Sequence, residues 1–339
     1  MLRKTSAISM IILISFILVL SGCTKIREKH LEKNNNIEST VEQGNRQSGS
    51  SDNNNEKDVL DPGDYKFTIN QGNRERYYLL HIPDSYDGKS TPLVLAFHGG
   101  IGSAEVMPKY YGWKKKSDEE GFIVAFPNGY SGFDSGDIAT WNAGRCCGPA
   151  VRKASDDIGF IKLAIDDIQS RLNIDNIFAT GMSNGGMFSH RLACEMSDVF
   201  SAVAAVAGTN DYDDCKPDNP ISVMHIHGLQ DDHILFEGGC GPQCLEISET
   251  EHTSVAKTIA DWVKRNNCST NPERVFENEN GYCDLYPGCD NDVQVKLCVA
   301  TDGGHSWPGM ELALGPLEKT RPSQAFSATD QIWDLFKVQ

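Results

Sequence analysis

Ile177-Phe178-Ala179-Thr180-Gly181-Met182-Ser183-Asn184-Gly185-Gly186 is the stretch that decides the fold of this chain. It begins as an apolar run and then meets a glycine, a serine and two more glycines, after which apolar residues recur at helical spacing. This pattern predicts a buried strand, a sharp turn, and a helix that extends to about Glu195.

Ser183 is the candidate nucleophile within this turn. In a G-x-S-x-G turn the strand and the helix crowd together, so Gly181 and Gly185 must lack side chains, while the serine is exposed at the tip. The alternative is a glycine-rich turn in which the serine is incidental. The strand before the turn, the helix after it and suitable partners further along the chain favour the nucleophile.

Continuous apolar runs alternate with helical periodicity on both sides of the turn. Two alternating runs around Gln71-Gly72-Asn73 predict an antiparallel hairpin, with strands at 65–70 and 76–82. Further strands are predicted at 92–97, 122–126, 202–207, 223–226 and 293–300, and helices at 105–119, 156–172 (with Ser155 as N-cap), 254–267 and 328–336. Buried strands that alternate with helices indicate a mostly parallel sheet covered on both faces. With the hairpin in front, the sequence predicts the α/β-hydrolase fold.

An acid and a histidine follow the serine in the order that this fold requires. Asp231 comes after one predicted strand and His305 after another, 48 and 122 residues beyond Ser183. Asp232 competes with Asp231 for the role of the acid, and either carboxylate could simply cap a turn. Three other histidines nearby fit packing or loop positions better, namely His225, His227 and His233.

Phe97-His98-Gly99-Gly100 closes an upstream strand and supplies the remaining part of the predicted site. The backbone N–H groups of Gly100 and Asn184 are the expected oxyanion-hole donors. His98 precedes these donors and comes before the serine in the chain, which favours a structural role over a catalytic one. Trp141 and Trp307 are expected to border the site and bind substrate, with core packing as the alternative.

The chain resembles the esterase family that groups secreted poly(3-hydroxybutyrate) depolymerases, feruloyl esterases and related acetylxylan esterases. The motifs that carry this resemblance, in chain order, are Phe97-His98-Gly99-Gly100, Phe126-Pro127-Asn128-Gly129, Trp141-Asn142-Ala143-Gly144-Arg145-Cys146-Cys147-Gly148, Asp156-Asp157-Ile158-Gly159-Phe160, the Ser183 turn, His227-Gly228 through Asp231, and Gly304-His305-Ser306-Trp307-Pro308-Gly309. The resemblance implies hydrolysis of carboxylic esters by Ser183, His305 and Asp231 without a cofactor. Family members often carry Asp-x-x-Val-Pro after the acid, whereas this chain has Ile234 where that valine stands.

The first sixty residues indicate export. Residues 1–23 combine Arg3 and Lys4 with an apolar stretch and the sequence Leu20-Ser21-Gly22-Cys23, which resembles a bacterial lipobox and predicts lipidation of Cys23. An ordinary signal peptide or an N-terminal membrane anchor are the alternatives. Residues 24–60 are rich in Asn, Ser, Glu, Lys and Gln and predict a disordered tether, which leaves residues 61–339 as one catalytic domain.

Cysteine content and charge restrict the environment and the partners. The chain has eleven cysteines, and those other than Cys23 are Cys146, Cys147, Cys194, Cys215, Cys240, Cys244, Cys268, Cys283, Cys289 and Cys298. An even set in an exported chain predicts up to five disulfides, with Cys194 bonded to Cys215 and the adjacent Cys146 and Cys147 bonded to different partners. No metal site is expected, because the close pair Cys240 and Cys244 has no histidine pair beside it. The net charge of −16 argues against nucleic acid and anionic membrane surfaces as partners, so the membrane is expected to be contacted only through the lipid.

These features predict an extracytoplasmic serine esterase that acts on feruloyl or acetyl esters of plant cell-wall polysaccharide. Poly(3-hydroxybutyrate) or its oligomers are the alternative substrate on the same scaffold. Two other classes also fit a triad on this fold, a peptidase and a tethered binding protein that does not turn over.

Overall fold

The fold is taken from a computed structural model, which describes residues 60–133, 136–244, 251–310 and 322–339. The predicted signal peptide, the lipidation site Cys23 and the tether lie outside the described residues. Among the described residues, no helix is long and apolar enough to cross a bilayer.

Twelve strands and seven α-helices make up the described part of the chain. The strands are β1 Gly63–Gln71, β2 Arg74–Ile82, β3 Thr91–Phe97, β4 Ile123–Pro127, β5 Tyr130–Ser131, β6 Ala139–Thr140, β7 Ile174–Met182, β8 Ala202–Val206, β9 Ser222–Gly228, β10 Glu273–Asn278, β11 Gly281–Tyr286 and β12 Val295–Ala300. The helices are α1 Met107–Tyr110, α2 Trp113–Glu120, α3 Gly148–Arg152, α4 Asp157–Arg171, α5 Asn184–Glu195, α6 Val255–Arg265 and α7 Ala328–Phe336, with a short 3-10 helix at Asp290–Asp292.

Ten of the strands form one sheet in the order β1-β2-β4-β3-β7-β8-β9-β12-β11-β10. The six central strands, β4 to β12, run parallel, while β1 and β2 on one edge and β11 and β10 on the other pair antiparallel. This confirms the α/β-hydrolase fold and the hairpin at its start, whose register places Gly72 and Asn73 in a two-residue turn. The second antiparallel pair, β10 and β11, was not predicted by the sequence pattern.

The core lies on both faces of the sheet. Along β3, Leu93, Leu95 and Phe97 belong to one buried cluster, and the intervening Val94 and Ala96 belong to another. Because side chains alternate across a strand, these two clusters cover opposite faces. Helices α4, α5 and α6 pack on the first face, and α1, α2 and α7 pack on the second.

Two helix boundaries differ from the sequence prediction. The helix expected at 105–119 is divided into α1 and α2, because Gly112 adopts a left-handed conformation (φ 72°) before α2 begins. The N-cap of α4 is Asp156, whose side chain accepts a hydrogen bond from the Gly159 N–H at 2.9 Å. The predicted cap, Ser155, instead donates its hydroxyl to the carboxylate of Asp157 at 2.8 Å.

All ten cysteines in the described residues form disulfides. The predicted bond between Cys194 and Cys215 is present and ties α5 to the segment after β8. The other bonds are Cys240–Cys244, Cys268–Cys289 and Cys283–Cys298. The prediction for Cys146 and Cys147 was wrong, since they bond to each other. The peptide bond between them is cis, and their Cα atoms lie 3.1 Å apart.

Candidate active site

The turn between β7 and α5 holds Ser183 in a strained conformation. Its φ of 55° and ψ of −123° lie outside the regions that most side chains adopt. A Cβ atom on Gly181 would lie 2.6 Å from the Gly185 carbonyl, and one on Gly185 would lie 2.3 Å from the Phe97 carbonyl. The glycines therefore let β3, β7 and α5 approach closely, as the sequence pattern predicted.

Ser183, His305 and Asp231 meet at the carboxyl ends of three parallel strands. Ser183 follows β7, Asp231 follows β9 and His305 follows β12. The Nε2 atom of His305 lies 3.0 Å from the Ser183 hydroxyl oxygen, and its Nδ1 atom lies 2.8 Å from Oδ2 of Asp231. This geometry suits an imidazole that accepts the serine proton while the carboxylate fixes its tautomer.

The Asp231 carboxylate is buried and fully hydrogen-bonded. Its Oδ1 accepts the backbone N–H groups of His233 and Ile234, each at 2.9 Å, and its Oδ2 faces His305 and His227. Burial alone would raise the pKa of Asp231, but the positive charge available on His305 and the hydrogen bonds from both histidines hold that pKa well below its usual range. Asp232 pairs with His233 instead, so the structure places Asp231 and not Asp232 against His305.

Gly100 and Asn184, the predicted oxyanion-hole donors, are neighbours. A Cβ atom on Gly100 would lie 3.7 Å from that of Asn184. Asn184 is the first residue of α5, where a backbone N–H has no partner within the helix. Reciprocal hydrogen bonds to the backbone of Trp141, at 2.7 and 3.0 Å, fix the Asn184 side chain.

Trp141 and Trp307 do not line the site, contrary to the sequence prediction. Their side chains are 0% and 1% exposed, so neither offers a surface to a substrate. The Trp141 ring stacks on Phe188, with ring centroids 4.9 Å apart, and the Trp307 ring packs edge-on against Tyr111. Apolar packing is the alternative that the structure favours for both tryptophans.

Trp141 instead holds Asn184 and the loop that begins at His98. Its backbone holds the Asn184 side chain, and its indole N–H donates to the carbonyl oxygen of His98 at 3.0 Å. His98 is structural, as expected, because its Nε2 accepts the Gly129 N–H and its Nδ1 donates to the Gly99 carbonyl. Complete burial lowers the pKa of His98 to about 4, so this ring is neutral at the pH where the imidazole of a triad works.

His227 and His233 contact the triad although the sequence pattern favoured packing or loop roles for them. The His233 ring stacks on the His305 ring with centroids 4.5 Å apart and planes 14° from parallel. This contact limits the tilt of the catalytic imidazole. The signal that could have identified His227 is the alternation in His225-Ile226-His227, which places two imidazoles on one side of a buried strand.

Two groups of side chains within the described residues have metal-ligand chemistry. One consists of Asp231, His233 and His305, whose ligand atoms are already hydrogen-bonded within the site. The other consists of Cys240, Cys244 and His252, where the two sulfur atoms form a disulfide.

Comparison with known proteins shows similarity to esterases. No protein-family profile matches the chain. Feruloyl esterase B of Piromyces equi is 30% identical over 239 residues, which are 68% of this chain and 42% of that enzyme, so this chain spans less than half of its length. The probable feruloyl esterase C of Aspergillus niger is 28% identical over 274 residues, which are 77% of this chain and 83% of that protein.

Among solved structures, the acetyl xylan esterase from Aspergillus awamori superposes with a TM-score of 0.54 at 14% identity, and the match covers 81% of this chain and all of that one. At this identity the match concerns the fold. The chain is thus similar in sequence to feruloyl esterases, and in structure it shares the α/β-hydrolase fold with an acetylxylan esterase.

Proposed function

We propose that this protein is an extracytoplasmic serine carboxylic-ester hydrolase that acts on feruloyl or acetyl esters of plant cell-wall polysaccharide. The observation that carries the proposal is the unbroken hydrogen-bonded series Ser183–His305–Asp231 beside two backbone donors. The names of the similar proteins, feruloyl and acetylxylan esterases, support the class of substrate.

The reaction follows from the positions of the atoms. As Ser183 Oγ attacks the ester carbonyl, Nε2 of His305 takes its proton, and Asp231 stabilises the imidazolium that forms. The N–H groups of Gly100 and Asn184 stabilise the oxyanion. His305 then gives its proton to the departing alcohol, and water, activated by the same imidazole, releases the acid and restores the serine.

An exposed apolar surface lies beside the loop of Gly100. Ile101 directly follows Gly100, and a backbone bridge between Gly102 and Ala139 brings the segment of Ile138 alongside it. Both isoleucines are 51% exposed and both have a φ of 57°, which is rare for a β-branched residue. In the proposed function these two side chains contact the apolar acyl group, such as the ring of ferulate or an acetyl methyl.

Kinetics on three substrates test the proposal. Wild type should hydrolyse methyl ferulate or acetylated xylo-oligosaccharides with a higher kcat/KM than 3-hydroxybutyrate oligomers, and Ser183→Ala should abolish turnover with an unchanged circular dichroism spectrum. A clear preference for the hydroxybutyrate oligomers would replace the substrate class with the polyester alternative. Cleavage of peptides would indicate a peptidase, and binding of esters without turnover would indicate a binding protein.

Membrane attachment through Cys23 belongs to the same proposal and rests on the lipobox-like sequence alone. Wild type expressed in a bacterial host should incorporate labelled palmitate and fractionate with membranes, and Cys23→Ala should do neither. A soluble wild type that takes up no label would show that the lipidation hypothesis is wrong.

A further inference from the structure

Three buried histidines and a tryptophan form a continuous line of hydrogen bonds that ends at the carboxylate of Asp231. Trp262 on α6 donates its indole N–H to Nδ1 of His190 on α5, at 3.1 Å. Nε2 of His190 lies 3.3 Å from Nδ1 of His225, and Nε2 of His225 lies 3.1 Å from Nδ1 of His227. Nε2 of His227 lies 2.9 Å from the carbonyl oxygen of Ile234 and 3.3 Å from Oδ2 of Asp231.

The chemistry at the two ends fixes the direction of every hydrogen bond in this histidine chain, defined as Trp262, His190, His225 and His227. An indole N–H can only donate, so Nδ1 of His190 must accept and its proton must lie on Nε2. The same argument then applies to His225 and to His227. At the other end a carbonyl and a carboxylate can only accept, which again requires the proton of His227 on Nε2.

The histidine chain is buried, and the hydrogen-bond directions place one proton on each imidazole. The four side chains are each at most 1% exposed. Burial lowers the pKa of His190 to about 3 and holds the pKa of His225 well below its usual range, although Asp211 and Asp231 respectively act in the opposite direction. With its Nδ1 accepting from His225, His227 donates to the Asp231 carboxylate through Nε2.

We propose that His227 is a positioning residue for Asp231, and that the histidine chain fixes the direction in which His227 donates. This inference rests on the proposed function, in which Asp231 orients His305. Oδ2 of Asp231 is held by His305 on one side and His227 on the other, while Oδ1 is held by backbone N–H groups. The carboxylate therefore cannot rotate, and a fixed carboxylate keeps Nε2 of His305 directed at Ser183.

Two variants of His227 test the donor itself. His227→Met removes the N–H, and His227→Gln has the same length but restores an N–H at the corresponding position. We expect His227→Met to lower kcat about ten-fold to a hundred-fold, the value of one hydrogen bond to a charged group, with KM changed less than about two-fold. The acid limb of the kcat/KM profile should move to higher pH, because Oδ2 then holds the His305 proton more tightly. His227→Gln should recover most of the loss.

Trp262→Phe, with Trp333→Phe as its matched control, tests the end of the histidine chain that lies farthest from Asp231. Trp262→Phe removes the indole donor that fixes the direction, and we expect kcat to fall about three-fold or more. Trp333→Phe makes the same change at a buried tryptophan whose indole N–H has no hydrogen-bond partner among the described residues, and it should leave kcat unchanged. Equal kcat values in the Trp262→Phe and Trp333→Phe variants would refute a catalytic role for the part of the histidine chain beyond His227, namely His225, His190 and Trp262.

Spectra of the wild type labelled with ¹⁵N-histidine test the proton positions without turnover. His190, His225 and His227 should all carry a proton on Nε2 at pH 8, and His190 and His225 should stay neutral down to pH 5. An Nδ1–H tautomer at any of the three, or titration of His190 or His225 between pH 5 and pH 8, would refute the histidine chain, and this measurement does not depend on the folding of a variant. Absence of ester turnover in the wild type would refute the proposed function. A His227→Met enzyme as active as the wild type would refute only the positioning role of His227.

Discussion

Trp141→Phe should show whether Trp141 supports the loop of the proposed oxyanion-hole residue Gly100 or only packs in the core. The substitution keeps an aromatic ring against Phe188 but removes the indole N–H that donates to the His98 carbonyl at 3.0 Å. A buried carbonyl that loses its donor destabilises the fold by about 1–3 kcal/mol. We therefore expect a lower melting temperature, together with a catalytic effect that arises because the loop of Gly100 is no longer held.

The catalytic effect can be bounded. Complete loss of one oxyanion donor lowers kcat by about 10²–10³ in other serine hydrolases. Trp141→Phe displaces the Gly100 N–H without deleting it, so we expect a decrease of about ten-fold to a hundred-fold in kcat. KM should change little, because the oxyanion donors act mainly on the transition state.

Trp307→Phe is the matched control. Trp307 is 1% exposed and donates its indole N–H to the Thr329 hydroxyl at 3.0 Å, but it packs on the opposite face of the sheet from Trp141. Both variants should lose similar stability, and only Trp141→Phe should lose kcat on methyl ferulate or a p-nitrophenyl ester. Equal losses of kcat in the two variants, or none in Trp141→Phe, would refute the support of the Gly100 loop by Trp141.

Three further outcomes are expected. Asp231→Asn should lower kcat by about 10⁴ at neutral pH without unfolding the protein, measured by turnover and circular dichroism, because the wrong His305 tautomer is then favoured. Gly185→Ala should prevent stable folding, since its Cβ would meet a backbone carbonyl at 2.3 Å, whereas Gly132→Ala, with no atom within 4 Å, should melt like wild type. Burial lowers the pKa of His98 to about 4 and of His190 to about 3, so the unfolded chain binds protons first as the pH falls below the ordinary value of 6.5. Stability that is complete above that pH should be lost towards pH 4, by about 2 kcal/mol per histidine at pH 5, and pH-independent denaturant melts would contradict this.

Local patterns were sufficient to predict the part of the site that depends on strand ends. The glycines around Ser183 define a turn that few other sequences can form, because side chains at Gly181 and Gly185 would overlap the backbone. Parallel strands bring their carboxyl ends to one edge of a sheet, so residues that follow such strands in the required order meet there. The placement of Asp231 and His305 follows from this rule.

Exposure could not be predicted in the same way. Trp141 and Trp307 stand beside catalytic motifs in the sequence, yet their side chains point into opposite faces of the core. Which way a loop side chain turns is decided by the residues that pack on it, here Phe188 for one and Tyr111 for the other. Proximity to the motifs in the sequence therefore located the two loops correctly but wrongly predicted that their tryptophan side chains are exposed to substrate.

The second antiparallel pair was missed for a related physical reason. Strand β10 is largely exposed on both faces, so its side chains do not alternate between apolar and polar residues. Its partner β11 is fixed to β12 through the disulfide between Cys283 and Cys298. A cross-link that joins residues fifteen positions apart holds this hairpin to the sheet, and connectivity of that kind cannot be deduced from spacing alone.

The two histidines of β9, His225 and His227, show what strand alternation alone does not predict. Strand alternation places His225 and His227 on the same side of a buried strand, which in isolation predicts two costly polar side chains in the core. That cost is offset only because His190 and Trp262, from two different helices, complete a line of donors and acceptors. Since a buried polar group without partners destabilises a fold, a pair of imidazoles on one face of a core strand indicates partners on the helices that cover it. In this protein those partners lead to the carboxylate of Asp231, which orients His305 in the proposed mechanism.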